Sequence, residues 1–298
     1  MTSLAERLWQ SRRNGGNVEI APNEAPTTLE DALAIQRAAI ACSGMASIGF
    51  KVGSTSAEAQ KVLNTTEPGA SPVLSGFFHE SPATIPIDPN HGPAVEGEFA
   101  LRLGADIPPR DTEYSFQEVF QAIDGAAAAI EVVGSRLAGG LVGKGRLLTT
   151  MDFGANIALA VGDMVTDWKG FDLAAHEVKL SLNGDLREEG VGARALGHPI
   201  NVLQWLANKQ SQTGRGLVKG EIVSTGTWTS FSTSTTLSTY LMTSIGTSLM
   251  TSLMTSTGTS LTTSFSTSPL LRTAASTHCL RNFAWSPVGR CTATSTTL

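Results

Sequence analysis

The sequence has little charge, few cysteines and no long apolar run. Charged residues make up 16% of the 298 residues, below the roughly 25% of an average globular protein. The three cysteines, Cys42, Cys279 and Cys291, match neither a disulfide framework nor a zinc-binding spacing. Uninterrupted apolar stretches stay well under the roughly 18 residues that suggest a membrane span. Glu6 and Arg7 stand where a signal peptide has its apolar core, so we expect a cytoplasmic, soluble protein.

Acidic residues are absent from the last quarter of the chain. The final one is Glu221, and only three arginines are basic beyond it. Residues 1–227 therefore carry a net charge of −8 and residues 228–298 a charge of +3, which together give −5. A net negative chain without a basic cluster argues against nucleic-acid binding.

The segment after Trp228 is low in complexity. Residues 228–268 contain 12 Ser and 14 Thr among 41 residues, and from Thr243 a Thr-Ser pair recurs every four residues. A four-residue period matches none of the usual solenoid repeats, and Ser and Thr are weak helix formers. We predict that residues 230–298 form a disordered tail or an aberrant end such as a frameshift would produce.

Both helices and strands are predicted before that tail. Helices are expected over residues 4–13, 29–41 and 199–214, the second one after a capping box formed by Thr27 and Glu30. Strands are expected over residues 94–104, 155–165, 176–190 and 220–228, with a hairpin turn at Asn183-Gly184. Residues 126–137 have the pattern of a helix end that enters a strand. The mixture predicts an α+β fold.

Common catalytic signatures are missing or broken. Residues 139–146, GGLVGKGR, lack the first Gly and the Ser/Thr of a phosphate loop, and residues 190–197, GVGARALG, lack the third Gly of a dinucleotide fingerprint. Neither G-x-S-x-G nor H-E-x-x-H occurs. These absences argue against nucleotide-binding, serine hydrolase and zinc peptidase functions.

An acidic cluster is the informative pattern. Glu96 and Glu98 are two residues apart in a predicted strand, so both point to one face. Glu131 stands in the apolar run AAAAIEVV, where an unpaired carboxylate is costly. Three carboxylates offer the hard oxygen ligands that suit Mg²⁺ or Mn²⁺. The alternative is that Glu96 and Glu98 line a solvated face and Glu131 pairs with Arg136.

Five segments, in order, resemble a known enzyme family. They are IGFKVGSTS (48–56), VEGEFALRLGADI (95–107), AIEVVGSRL (129–137), MDFGANIALAVG (151–162) and GEIVSTGTWT (220–229). Their order resembles the fumarylacetoacetate hydrolase superfamily, in the branch of 2-keto-4-pentenoate hydratases and 2-oxo-3-hexenedioate decarboxylases. The resemblance covers roughly residues 4–229.

The resemblance implies a fold and a domain division. The fold is a mixed β-roll or sandwich core with flanking helices. An N-terminal, mainly helical region would span residues 1–80, the metal-dependent catalytic core residues 81–229, and the Ser/Thr-rich tail residues 230–298.

The same resemblance implies roles for individual residues. Glu96, Glu98 and Glu131 would hold the metal. Lys51 would bind the substrate carboxylate or stabilise an enolate. Asp152 would act in catalysis, Asn156 would bind substrate, and Thr227 would do so in the loop Thr225-Gly226-Thr227 at the edge of the site. For Asp152 and Thr227 a purely structural turn role is an open alternative. The candidates for the general base are Lys51, Asp152 and the His79-Glu80 pair, and the alternative for His79 is an ordinary loop histidine.

The implied function is a Mg²⁺-dependent hydratase of aromatic catabolism that acts on a small 2-oxo acid. A 2-oxo-3-hexenedioate decarboxylase and an acylpyruvate-type C–C hydrolase are alternatives within the superfamily. An inactive member or assembly subunit is the alternative outside catalysis. We expect a homo-oligomer, with a hydratase–decarboxylase assembly as a further partner arrangement, and neither nucleic acid nor membrane as a partner.

Three positions depart from the family pattern. The hydratases of the family usually have Asp where this chain has Gly134. His79-Glu80 replaces an acidic pair that is often found there. After residue 229 the Ser/Thr-rich segment takes the place of a closing strand, whose loss would expose a sheet edge.

Overall fold

The computed structural model describes most of the chain between residues 2 and 266. The described residues are 2–140, 143–182, 185–226, 229–232, 239–245, 251–257 and 260–266. From residue 229 onward the description is that of the backbone.

Six α-helices lie within these residues, and most begin at a side-chain cap. They are α1 (Leu4–Asn14), α2 (Leu29–Ala41), α3 (Ala57–Val62), α4 (Phe116–Ala122), α5 (Gly145–Met151) and α6 (Pro199–Gln212). The three helices predicted from sequence are α1, α2 and α6. The capping box of α2 is one residue later than predicted, because Thr28 caps the helix and Asp31 completes the box.

Fourteen β-strands form two sheets in the described residues. The strands are β1 (Ser47–Gly53), β2 (Gly69–Leu74), β3 (Phe78–Glu80), β4 (Thr84–Pro86), β5 (Ala94–Leu103), β6 (Ile123–Val133), β7 (Asn156–Val161), β8 (Glu177–Leu182), β9 (Asp185–Val191), β10 (Ile222–Ser224), β11 (Thr229–Ser232), β12 (Thr239–Ile245), β13 (Thr251–Thr257) and β14 (Ser260–Ser266). The first sheet has the order β2-β1-β10-β5-β6-β7-β3, and β11 also pairs with β5. The second has the order β4-β14-β13-β12-β8-β9. The first sheet is mixed, with parallel pairs β1-β10 and β3-β7, and every described pairing in the second is antiparallel. Sheets and helices together confirm the α+β prediction.

The ladder between β5 and β6 is the longest in the first sheet. The strands are antiparallel, and Glu96 stands opposite Glu131. β6 is a strand over its whole length, so the helix end predicted within residues 126–137 is wrong. Its alanines are buried between β5 and β7, and burial inside a sheet overrides the helix propensity of alanine.

β1 lies between β2 and β10 and carries Lys51. Lys51 is in register with Ser71 on β2 and with Ser224 on β10. At Gly49, φ is 147° and a Cβ would collide with the backbone of Ile222. Glycine therefore permits the close approach of β10 that brings Ser224 beside Lys51.

Residues 1–80, predicted as a mainly helical region, contain strands as well as helices. β1, β2 and β3 belong to the first sheet, whereas α1 and α2 pack with Met151 of α5 and Phe153 in a separate apolar cluster. The domain boundaries at residues 80 and 229 stay predictions.

The Ser/Thr-rich segment contributes strands where it is described. β11 pairs antiparallel with β5, and Ser230 stands opposite Glu96. β12 pairs with β8 and with β13, and β14 pairs with β4. Residues 267–298 and the predicted turn Asn183-Gly184 lie outside the described residues. Disorder or an aberrant origin of residues 230–298 stays a prediction.

None of the described helices has both the length and the hydropathy needed to cross a membrane. The longest, α6, has 14 residues.

Candidate metal centre and active site

Three carboxylates converge on one face of the first sheet. Glu96 and Glu98 point to the same side of β5 because side chains alternate along a strand. Glu131 is the cross-strand neighbour of Glu96 and therefore shares that side. One oxygen from each residue lies within 4.8 Å of the others. The sequence predicted this cluster, and the structure brings all three residues together.

The cluster of three carboxylates is largely shielded from solvent and concentrates negative charge. Glu98 and Glu131 are both fully buried. Burial raises the pKa of Glu98 well above its ordinary value, and the neighbouring charges of Glu131 and Glu96 raise it further. Such a group resists ionisation unless a cation compensates its charge.

The hydrogen bonds of Glu98 leave one oxygen unused. Its Oε2 accepts from Ser224 Oγ and from the backbone N–H of Gly226, the latter at 3.1 Å. No donor in the described part of the chain reaches Oε1, which is buried. Buried carboxylate oxygens without a donor are costly. The unused oxygen, together with the hard donor set, fits a divalent cation such as Mg²⁺.

Lys51 is the cation of the site. Its Nζ lies 3.1 Å from Glu131 Oε2 and donates to the carbonyl of Gly154 at 3.1 Å. Burial alone would lower the pKa of Lys51, but the three carboxylates, Glu131 foremost, give a net upward shift. The side chain is therefore an ammonium group. The alternative pairing of Glu131 with Arg136 is wrong, because Arg136 pairs with Asp152.

Asn156 joins the metal cluster to a buried arginine that the sequence analysis missed. Its Nδ2 donates to Glu131 Oε1 at 2.8 Å, and its Oδ1 accepts from Arg12 Nη2 at 2.8 Å. The guanidinium of Arg12 lies between two rings, 4.2 Å from the centroid of Phe77 and 4.5 Å from that of Phe153. In the sequence Arg12 and its neighbour Arg13 are typical of the basic last turn of a surface helix, and nothing local marks Arg12 as buried.

Asp152 lies in a different network. Its Oδ2 accepts from Ser135 Oγ and from the backbone N–H of Arg136, both at 2.9 Å, and its Oδ1 accepts from Arg136 Nε at 2.6 Å. The residue is fully buried and does not line the cavity beside Lys51. These contacts favour the structural turn role over direct catalysis.

A cavity of about 310 Å³ opens beside the carboxylates. Lys51 and Glu96 line it on the side of the cluster, and Arg146 of α5 lines it as well. Apolar and small side chains supply much of the remaining wall, among them Ala59, Val62, Leu63, Ala70, Val133 and Ala155. In the sequence Arg146 ends a segment whose one recognisable pattern is a broken phosphate loop, so nothing local marks it as a site residue.

The other predicted positions lie around this cavity or away from it. Thr225 Oγ1 donates to the carbonyl of Phe99 at 3.2 Å, and Thr227 lies outside the described residues. His79 is part of β3, not of a loop, and lines a separate cavity of about 450 Å³. At Gly134 a Cβ would lie 2.8 Å from the carbonyl oxygen of His91, so this backbone has no room for the aspartate of the family's hydratases.

A family comparison agrees with this fold and site. Residues 52–254 match the family described as fumarylacetoacetate (FAA) hydrolase C-terminal. The protein therefore belongs to the fumarylacetoacetate hydrolase family. Within that family it falls in the branch that contains the 2-keto-4-pentenoate hydratases.

Curated relatives cover most of the chain. The 2-keto-4-pentenoate hydratase of Paraburkholderia xenovorans (strain LB400) is 32% identical over 230 residues, which are 74% of this chain and 82% of the relative. The 2-oxo-hept-4-ene-1,7-dioate hydratase of Escherichia coli is 29% identical over 236 residues, which are 76% of this chain and 88% of the relative.

A solved structure shows the same fold. The 4-oxalocrotonate decarboxylase from Pseudomonas putida G7, complexed with magnesium and adipate, aligns with a TM-score of 0.71. The alignment covers 88% of this chain and 95% of that chain at 21% identity. A second structure of that decarboxylase contains calcium and acetate and also has a TM-score of 0.71.

Proposed function

We propose that the protein is a divalent-metal-dependent hydratase that adds water to a 2-keto-4-pentenoate-type substrate in its 2-hydroxydienoate form. The observation that carries the proposal is the convergence of Glu96, Glu98 and Glu131 beside Lys51 at the edge of a cavity. The curated relatives that are named as hydratases support the reaction type.

Mg²⁺ or Mn²⁺ is the proposed metal, and the three glutamates are its proposed ligands. Hard carboxylate oxygens suit both ions, which leave positions for water and substrate. The fold neighbour solved with magnesium supports this assignment. When bound, the cation supplies Lewis-acid polarisation of the 2-oxo acid end of the substrate.

Lys51 is proposed to stabilise negative charge on the substrate. An ammonium group that is buried to 5% exposure beside the carboxylates can hold the substrate carboxylate or the negative charge of an enolate. Lys51 already donates a hydrogen bond to the carbonyl of Gly154, so its proposed role is that of a donor of hydrogen bonds or protons. Asn156 and Thr227 remain proposed substrate contacts, and Asn156 also orients Glu131 through its hydrogen bond. The contacts of Asp152 support a structural role.

The proposal is tested with purified protein and 2-hydroxypenta-2,4-dienoate. Loss of the ultraviolet absorbance of the dienol is followed with Mg²⁺, with Mn²⁺ and with a chelator, and mass spectrometry confirms the addition of one water. Glu96→Ala is expected to abolish metal-dependent turnover while the circular dichroism spectrum stays that of the parent. Unchanged turnover in this variant, with Mg²⁺ still required, would contradict the ligand assignment.

The alternative reactions are run in parallel. Release of CO₂ from 2-oxo-3-hexenedioate would identify a decarboxylase, and cleavage of an acylpyruvate would identify a C–C hydrolase. Failure of all three substrates with a metal-loaded, folded protein would favour the non-catalytic assembly subunit. The homo-oligomer is tested by light scattering after size exclusion, and cytoplasmic location stays a prediction.

A further inference from the structure

Arg146 lines the cavity of the proposed active site and forms no ion pair within the described residues. Its Nη2 donates to the carbonyl of Pro68 at 2.6 Å, and its Nη1 to the carbonyl of Glu67 at 3.5 Å. Its buried Nε donates no hydrogen bond to any group in the described residues. A guanidinium group has five N–H donors, so several remain for a ligand.

Glu67 is the acid whose charge acts on Arg146, but its ion pair is with another residue. The carboxylate of Glu67 forms an ion pair with Lys209 at 2.8 Å. In the described part of the chain, Arg146 takes part in no ion pair. Largely buried charges are normally paired, so a guanidinium that lines a cavity without an acidic partner indicates an anionic ligand.

Two glycines place Arg146 and Lys51 over the same stretch of sheet. Gly53 and Gly69 are paired across β1 and β2, so a side chain on either would point to the same face. A Cβ on Gly53 would lie 3.2 Å from Lys51 Nζ, and a Cβ on Gly69 would collide with the guanidinium of Arg146. Since paired Cβ positions are about 5 Å apart, the two cationic groups lie within roughly 11 Å of each other.

The surface between these two groups suits a carbon chain. Gly53 and Gly69 have no side chains, and Ala59, Leu63 and Ala70 line the cavity. Glu96 is the one acidic side chain among the described lining residues, and it belongs to the metal cluster. An elongated ligand with an anionic group at each end therefore matches the cavity better than one with an apolar end.

We propose that Arg146 binds a second, distal carboxylate of the substrate, so that among substrates of the proposed type the site prefers those with a carboxylate at each end and a chain of about six carbons. The monocarboxylic 2-hydroxypenta-2,4-dienoate is then a substrate that binds more weakly. The inference rests on the proposed function, because it names the substrate class of the same site. Arg146 is the specificity-determining residue, and the metal cluster with Lys51 holds the 2-oxo acid end.

The test compares two ligands that differ only at the distal end. 2-Oxoadipate and 2-oxohexanoate have the same 2-oxo acid group and the same chain length, and neither has the double bonds that hydration needs. Their binding to the Mg²⁺-loaded protein is measured by titration calorimetry. We expect the parent protein to bind 2-oxoadipate about tenfold more tightly or better, the usual effect of a charge-assisted hydrogen bond.

Arg146→Met is expected to remove most of this preference and to leave the affinity for 2-oxohexanoate unchanged. Arg37→Met is the matched control, because Arg37 is an exposed arginine that pairs with Glu30 and does not line this cavity. The control is expected to keep the parent's preference. If Arg146→Met does not fold, Arg146→Lys is measured instead. This variant must bind 2-oxoadipate more weakly than the parent protein does and must keep the parent's affinity for 2-oxohexanoate.

Two outcomes would overturn the inference. One is equal affinity of the two ligands in the parent protein, and the other is an undiminished preference after substitution of Arg146. Failure of the proposed function has a different signature, since neither ligand would then bind more tightly with Mg²⁺ than with chelator. In that case the inference fails together with the function on which it rests.

Discussion

Arg12 Nη2 donates a 2.8 Å hydrogen bond to Asn156 Oδ1 and thereby determines which end of the amide faces Glu131. Because the arginine has only donors, it binds the amide oxygen and turns the NH₂ group toward the carboxylate. The N-terminal helix α1 therefore supports the metal cluster through one intermediate side chain. Arg12 itself is a positioning residue, since it contacts none of the three carboxylates in the hydrogen bonds of the described residues.

Arg12→Met is expected to weaken Mg²⁺ binding by about 10- to 100-fold, the usual cost of losing an outer-shell partner of a ligand. The reason is that Asn156 can then rotate and leave Glu131 Oε1 without its donor. Titration calorimetry with Mg²⁺ measures the change. Arg13→Met is the matched control, because Arg13 is exposed on the same helix. Equal metal affinities of the two variants would contradict the positioning role.

Glu98→Gln is expected to weaken metal binding and, in the absence of metal, to raise the stability of the fold. The variant loses a ligand, so its Mg²⁺ affinity falls by more than the roughly 10–100-fold of an outer-shell loss. In chelator at pH 7.5 its melting temperature is expected to rise, because the parent holds a buried carboxylate whose pKa is raised by burial and by neighbouring negative charge.

A second glutamate gives the opposite sign and serves as the control. Hydrogen bonds from Arg110 and Ser115 lower the pKa of exposed Glu118 to about 2. Its charge therefore stabilises the fold, and Glu118→Gln is expected to lower the melting temperature. The interpretation of Glu98 is wrong if both variants melt below the parent.

Asp152→Asn is expected to destabilise the protein by about 3–5 kcal/mol, because it leaves the buried Arg136 without its ionic partner. Urea denaturation measures the loss. The variant's Mg²⁺ affinity is expected to change far less than that of Arg12→Met. A stable Asp152→Asn protein that binds Mg²⁺ and has lost turnover would instead identify Asp152 as a catalytic residue.

The part of the site that lies within single strands could be predicted from sequence. Alternation places Glu96 and Glu98 on one face, and the apolar surroundings of Glu131 mark it as an unusual carboxylate. Arg12 and Arg146 could not be predicted in the same way. Arg12 reaches Asn156 across 144 positions of the chain, and Arg146 reaches the carbonyl of Pro68 across 78, so neither contact leaves a local pattern.

The same contrast holds for the fold. Helix α2 is amphipathic with capping residues close to its start, and its sequence predicts it to within one residue at the cap. The alanines of β6 prefer a helix when considered alone. Their strand conformation depends on pairing with β5 and β7, which are distant in sequence, and no propensity within residues 126–137 records that pairing.

The Ser/Thr-rich segment is predicted to be cleaved first in limited proteolysis. Residues 230–298 contain many weak helix formers and no acidic residue, a composition typical of poorly ordered segments. Chymotrypsin is suitable, because it can cut beside Phe231 and Tyr240, whereas Arg272 offers trypsin its first site beyond Lys219. Mass spectrometry is expected to show a fragment that ends near residue 230. Cleavage of the core at an equal rate would contradict the predicted disorder.

Stability is predicted to fall as the pH is lowered below about 6.5, the ordinary pKa of histidine. Burial lowers the pKa of His79, His91, His176 and His198. At a pH between the folded and the unfolded pKa of a histidine, the unfolded chain binds more protons than the folded one. The contribution of these histidines to the free energy of unfolding is therefore fully present above the unfolded pKa and is lost as the pH falls toward the folded pKa. Urea denaturation at pH 7.5 and pH 5.5 measures this difference.

The measurement is made in the Glu98→Gln variant, because the raised pKa of Glu98 has the opposite sign and would offset the histidines. Nuclear magnetic resonance titration of the imidazole protons gives the individual values. Midpoints below 6.5 for the four histidines, together with lower stability at pH 5.5, are expected. Midpoints at or above 6.5 would mean that the rings are solvated, and the packing of His176 between Phe99 and Phe171 would then be wrong.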